Sequence, residues 1–154
     1  LAKKETTDKD VHFVVADGQA LPLENKSANI VVSMYVLMYF SDAKKVFSEI
    51  ARVLRDGGHF VGIFNITEVD PGFEHLSNQQ MPIRLGTDES SIIVQNLIKT
   101  PMEIETAIDE NGFVVKEKKE VIDPMAIIDD SFVDKSHVQK HPTMFVLEKK
   151  ATTA

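Results

Sequence analysis

The side chains of this sequence that could do chemistry gather at the ends of three apolar runs. Asp17-Gly18-Gln19 follows Val11-His12-Phe13-Val14-Val15, so a carboxylate and a flexible backbone sit just past a β-rich segment. Ser33-Met34-Tyr35 lies within a second run, Ile30 to Leu37, with Met38 and Tyr39 at the start of the next turn. Phe64-Asn65 ends a third, which begins at His59. In parallel α/β sheets ligands bind off the carboxyl ends of strands, near the switch in strand order, and these three tips are the places to look. Taken alone, Asp17 is more often a turn aspartate bonded to its own backbone, and Met34, Met38 and Phe40 are more often core. His137 and His141 are four apart and, with Asp134, have a conceivable metal-ligand spacing. Pro142 follows at once in a polar stretch, so no metal is assigned. His12, His59 and His75 are unpaired in sequence and are taken as structural. No phosphate loop, nucleophile elbow or Ser-His-Asp order is present.

The elements that must position these tips follow from periodicity. Val11 to Val15 is expected to be a strand, and Ile30 to Met34 a parallel strand buried on both faces, because its run is too uniformly apolar for one wet face. Between Ser41 and Asp56, Val46, Phe47, Ile50, Ala51 and Leu54 recur at helical spacing, and Gly57-Gly58 is expected to end that helix. His59 to Phe64 is the third strand. Ile66 to Leu85 contains Pro71, Gly72 and Pro82 and is expected to be loop, with a short helix near Phe73 to Asn78. Ser90 to Ile98 suits either strand or helix. Thr100-Pro101, with Glu103 two residues after the proline, forms a capping box opening a helix that ends at Asn111-Gly112. Phe113 to Ile122 carries Lys116, Glu117, Lys118, Lys119 and Glu120, a composition suited to a charged sheet edge. Asp123 to Lys140 is a polar connection, and Met144 to Leu147 the last strand. Lys3 to Asp10 is a charged lead-in, the frayed end of a helix.

The ordered set Asp17, Leu21-Pro22, Ile30 to Met34, Arg52-Val53-Leu54 and Gly57-Gly58 resembles the middle of a class I S-adenosylmethionine-dependent methyltransferase of the small-molecule branch. No single piece is specific; the order over residues 11–65 is. Asp56 stands where that family usually has proline. The resemblance implies an α/β Rossmann-like methyltransferase fold, mostly parallel, with an antiparallel C-terminal strand inserted between His59 to Phe64 and the charged edge strand. It implies an enzyme with S-adenosylmethionine as cofactor and a small-molecule acceptor. It further implies that Asp17 accepts from the adenine amino group, that backbone at Gly18 and Gln19 receives a ring nitrogen, and that Ser33, Met34 and Tyr35 line the methionine-sulfonium side. Met38 and Tyr39 then lie near the transferred methyl, and Phe64 and Asn65 face the acceptor. The family has no transferable catalytic residue, since methyl transfer needs alignment and exclusion of water more than a base, and none is assigned.

The family's glycine-rich loop and the acidic residue that holds the ribose hydroxyls have no counterpart here, and Leu1-Ala2-Lys3-Lys4 resembles the tail of the helix that follows the second family strand. Residues 1–154 are therefore expected to be the C-terminal portion of a single methyltransferase domain whose N-terminal strands are missing. The family order would put two strands between Val11 to Val15 and Ile30 to Met34, a gap of about 14 Å at the usual spacing of about 4.8 Å. An isolated strand does not bridge that. Strands absent from this sequence, or a second copy of the chain in a homodimer, would have to cover the exposed edge of Ile30 to Met34. The alternative function is a non-catalytic methyltransferase-like module for binding or assembly.

Composition narrows the partners. The 154 residues are one domain's worth, with hydrophobic content of 43% and charged content of 27%, ordinary for a globular protein. Seventeen basic against 24 acidic side chains, net -7, argue against nucleic acid as a main partner, because phosphate binding needs a basic face. The longest apolar run falls far short of the roughly 20 residues that span a bilayer, so no membrane span is expected. The absence of cysteine excludes disulfides, thiolate catalysis and zinc-cysteine sites. It fits a reducing compartment, and the expected location is cytoplasmic.

Overall fold

A computed structural model describes residues 10–69, 80–85, 92–97, 99–121 and 138–151. Its elements run β1 (Ala28–Met34), a 3-10 turn (Leu37–Tyr39), α1 (Ala43–Val53), β2 (Leu54–Val69), β3 (Gln80–Leu85), β4 (Ile92–Leu97), α2 (Pro101–Glu110), β5 (Phe113–Glu120) and β6 (Val138–Lys149). The main sheet has the order β1-β2-β6-β5, and β3 pairs with β4 in a separate two-stranded sheet. β1 runs parallel to β2, while β6 is antiparallel to both β2 and β5. The insertion of the last strand between β2 and the charged edge strand is therefore as expected.

Helix α1 presents Val46, Phe47, Ile50 and Val53 to the core, a 3.6-period stripe, and exposes Lys44, Lys45 and Ser48. Asp42 caps it, accepting from Lys45 N at 3.1 Å. The stripe packs on Phe60 and Phe64 of β2, Phe145 and Leu147 of β6 and Phe113 of β5, with Ile104, Ala107 and Ile108 of α2 completing one core. Phe47 is its centre. Its ring meets those of Phe60, Phe113 and Phe64 edge-on, at centroid distances of 5.7, 6.2 and 6.5 Å, and Phe64 stacks on Phe145 at 5.0 Å.

The expected capping box is present. Thr100 Oγ1 accepts from Glu103 N at 3.3 Å, and Glu103 Oε2 accepts from Thr100 N at 3.0 Å. Because α2 has only ten residues and a capped first turn, Thr100→Ala is expected to cost about 1 kcal/mol. A urea denaturation midpoint would show this, and an unchanged midpoint would mean that packing alone holds the helix.

Several expectations are corrected. Val11 to Val15 is not a strand: among the described residues it pairs with no strand, and Val15 is fully exposed. A strand exists only through its ladder, and this segment has no place in the order β1-β2-β6-β5. Nor is β1 buried on both faces. Ile30 and Val32 are 62% and 63% exposed, because α1 and α2 both pack against the opposite side of the sheet. The registers Val32↔Val61↔Val146 and Met34↔Ile63↔Met144 extend that apolar stripe across the uncovered face.

The first long helix ends at Val53 rather than at Gly57-Gly58. Leu54 is already extended and pairs with Ala28, so Gly57, at φ +75°, serves the bend that sets up the ladder from His59. The third strand does not stop at Phe64. It pairs with β6 as far as Val69↔Val138, so part of Ile66 to Leu85 is strand at both ends. Residues 92–97, ambiguous in sequence, are strand β4. The lead-in before Asp10, the short helix near Phe73 to Asn78, and most of Asp123 to Lys140 lie outside the described residues.

Candidate functional site

The carboxyl end of β1 and the Asp17 turn form the candidate site. Asp17 Oδ1 accepts from Gln19 N at 2.9 Å, and Asp17 O accepts from Ala20 N at 3.0 Å. This is an Asx turn closed by an isolated bridge between Asp17 and Ala20. The turn bond uses one carboxylate oxygen together with the Gln19 N–H. Gly18 lies against Phe40. A Cβ built on Gly18 would sit 2.6 Å from Phe40 Cζ, so the turn backbone approaches the ring to a distance only glycine allows. Phe40 ends the segment that follows β1, and this contact joins the first of the three tips to the second.

At the second tip, strand alternation sends Ser33 and Met34 to opposite faces. Ser33, level with buried Gly62, points to the helix-covered side; Met34 lies on the open face and is exposed. Tyr35 then takes φ +55°, a left-handed conformation unusual for a non-glycine residue, and donates its N–H to Ile63 O at 2.7 Å. Such backbone strain at a strand tip is characteristic of sites. Met38 is buried, as is Leu37, while Val36 and Tyr39 are exposed. At the third tip the expectation is corrected. Phe64 is a core residue stacked on Phe145, because β2 continues past it and alternation turns its side chain toward the helices. Asn65 lies on the other face, level with Pro142. Of the conceivable metal set, Asp134 and His137 lie outside the described residues, and His141 is level with Ile66 in the β2–β6 ladder.

A pair that the sequence did not single out for the site holds the loop after the turn. Glu49 and Arg52, one helical turn apart on α1, form a two-point ion pair, Nε to Oε1 and Nη2 to Oε2, each at 2.9 Å. Glu49 Oε2 also accepts from Leu21 N at 2.9 Å. Arg52 Nη2 donates to Leu21 O at 2.9 Å, and Nη1 donates to Leu23 O and Asn25 Oδ1, each at 2.7 Å. The Arg52 guanidinium, hydrogen-bonded to Glu49, holds that carboxyl below its ordinary value against the opposing pull of partial burial, with the Leu21 N–H assisting. A depressed carboxyl pKa contributes stability above its unfolded value, and this is lost as pH falls through the lower folded one. The pair therefore persists across neutral pH. Nearby, Lys26 donates to Asp56 at 2.8 Å, so the residue that departs from the family's proline anchors the far end of the same loop. The legible signal was the i, i+3 Glu-Arg spacing, which also suits an ordinary exposed helix pair.

Lys99 is also buried, and its Nζ donates to Ser41 O at 3.3 Å, tying the start of α2 to the loop ahead of α1. Burial pushes its pKa down, against the pull of Glu103 and Asp42.

Comparison with known proteins places the chain beside methyltransferases. Residues 1–62 match the family described as a methyltransferase domain. A malonyl-[acyl-carrier protein] O-methyltransferase of Nitrosospira multiformis is 31% identical over 98 residues, covering 60% of this chain and 32% of the relative. The chain thus spans about a third of the length of that curated relative. Among solved structures, a putative S-adenosylmethionine-dependent methyltransferase from Listeria monocytogenes superimposes with a TM-score of 0.66 at 16% identity, covering 97% of this chain and 74% of that one. Geranyl diphosphate C-methyltransferase from Streptomyces coelicolor, solved with S-adenosyl-L-homocysteine, gives 0.63 at 15% identity, covering 96% and 56%. At these identities the structural likeness establishes the fold. Among the described residues no helix is long and apolar enough to cross a membrane.

Proposed function

We propose that the chain, whose residues 1–62 match a methyltransferase domain, is of the class I S-adenosylmethionine-dependent type and serves methyl transfer from S-adenosylmethionine to a small-molecule acceptor, as part of a longer protein. The observation that carries this is the Asp17 turn, an exposed carboxylate on a glycine backbone packed against an aromatic ring. That donor and acceptor set fits adenine, a flat apolar ring with an amino group and a ring nitrogen on one edge. The Asp17 oxygen left outside the Asx bond accepts from the amino group, and the Gly18 backbone N–H donates to the ring nitrogen. Gln19 contributes through its turn bond, which fixes the carboxylate. Ser33, Met34 and Tyr35 flank the sulfonium, with buried Met38 supporting the wall behind them. The cofactor supplies an electrophilic methyl group. The chain's own residues bind, orient and exclude water, and none acts as an obligatory base.

The open edge of β1 and the apolar stripe through Ile30, Val32 and Met34 support further strands and helices in the working protein, supplied by additional sequence or by a second copy in a homodimer. The net charge of -7 disfavours nucleic acid as a partner, and a cytoplasmic setting accords with the cysteine-free composition. The second reading, a methyltransferase-like binding or assembly module, draws on the same uncovered face.

Calorimetric titration of the 154-residue chain with S-adenosylhomocysteine is the test. Binding is expected to be weak, in the millimolar range, because residues 1–154 supply only one wall of the cleft. Asp17→Ala is expected to remove what remains, since a hydrogen bond to a charged group is worth about 1.5–3 kcal/mol. Micromolar binding would contradict the incomplete-cleft reading, and binding unaffected by Asp17→Ala would contradict the adenine assignment.

A further inference from the structure

We propose that Glu49 and Arg52 are positioning residues for the Asp17–Gln19 turn, a role that deepens the nucleoside-binding reading above and rests on it. The geometry is unusually complete. A guanidinium has five N–H donors in a fixed fork, and all five of Arg52 are used: two on Glu49, and one each on Leu21 O, Leu23 O and Asn25 Oδ1. Leu21 is held at both its backbone groups, N–H by Glu49 and C=O by Arg52, so the ion pair takes the place of a neighbouring strand for that residue. Leu21 directly follows Ala20, which closes the turn onto Asp17. Phe40 braces the same turn at Gly18. The turn is thus held on one side by α1 through Leu21 and on the other by the segment following β1.

An ordinary surface ion pair contributes little and pairs one charge with one other. This one spends three of its five guanidinium donors outside the pair, on a loop 27 to 31 residues away in sequence, with Arg52 and Glu49 side chains only 30% and 18% exposed. Loops rarely hold a turn still by their own contacts, and an anchor on a packed helix does so at the cost of two side chains. Val53, next to Arg52, and Ile50, next to Glu49, are both buried, so the helix is fixed where the pair projects from it. Lysine does not substitute for this arginine: its three donors radiate from one point and do not span two carbonyls, an amide oxygen and both carboxylate oxygens.

The experiment compares Arg52→Lys, Glu49→Gln and Thr100→Ala with the parent chain, reading amide hydrogen exchange at Ala20 and Leu21 and the amide shift of Gly18 on titration with S-adenosylhomocysteine. Thr100→Ala is the stability control, because the bonds it removes join Thr100 to Glu103 at the start of α2 and none of them reaches the turn. Arg52→Lys is expected to speed exchange at Ala20 and Leu21 at least about tenfold, the effect of losing a hydrogen bond to a charged group, and to weaken the ligand response by a similar factor. Glu49→Gln keeps a carbonyl oxygen for Leu21 N–H and is expected to give a smaller change, which keeps the test informative should the arginine variant not fold. Thr100→Ala is expected to leave both readouts as in the parent.

Unchanged exchange at Leu21 in Arg52→Lys, or an equal rise in Thr100→Ala, overturns the positioning role. A rise confined to the two clamp variants, in a parent chain whose Gly18 never responds to S-adenosylhomocysteine, supports the positioning role and overturns the nucleoside reading instead.

Discussion

Phe47→Ala is expected to lower the unfolding free energy by about 3–5 kcal/mol, the range for removing a fully buried phenylalanine. The site has little means of collapsing. Phe47 is inaccessible to solvent and its ring is the hub on which Phe60, Phe64 and Phe113 converge edge-on, from two different strands. Each edge-on aromatic pair adds about 0.5–1.5 kcal/mol beyond area burial, so the upper part of the range is expected. Domains of this size are stable by only about 5–15 kcal/mol, so this loss removes a large share of the total. Urea denaturation followed by circular dichroism reads the result. A loss under about 1.5 kcal/mol would mean that α1 is not held through this residue.

Gly62→Ala, a single added methyl, is the second large effect, expected at about 1–3 kcal/mol by overpacking. A Cβ at Gly62 would lie 2.6 Å from the Phe60 ring and 3.3 Å from the Phe64 ring. Both rings are buried and pinned by Phe47, so neither has room to swing away. The contrast with Gly18 is instructive. There the ring in the way is that of half-buried Phe40, which can move, and the consequence falls on the turn rather than on the core. Since Phe47→Ala opens space beside the same rings that Gly62→Ala crowds, the double variant should be less damaged than the sum of the two. Strict additivity between contacting residues would argue that the rings do not relax together.

Much of the fold was legible because it is written in local pattern. The apolar stripe of α1, the Thr100-Pro101-Glu103 start of α2 and the charged β5 each follow from spacing and chemistry within a few residues. What failed were judgements that depend on a neighbour distant in sequence. Val11 to Val15 has the composition of a strand but no ladder, and Ile30 to Met34 has the composition of a buried strand but a cover on one side only. His59 to Phe64 is complete as an apolar run, yet pairing with β6 carries the strand on to Val69 and leaves Phe64 inside it. The site divides in the same way. Asp17-Gly18 was readable as a turn with a carboxylate, whereas the packing of Phe40 on Gly18 was not, nor the five-donor use of Arg52.

The amino-acid order by itself determined where helices begin, which helix residues face a core, and that a carboxylate stands on a glycine turn after an apolar run, because capping, periodicity and turn chemistry act over distances shorter than a helical turn or two. Only the tertiary structure decided which runs become strands, which sheet face is covered, and which helix side chains hold the turn in place. Each of those depends on a partner brought close by the fold, and no local pattern specifies where that partner will be.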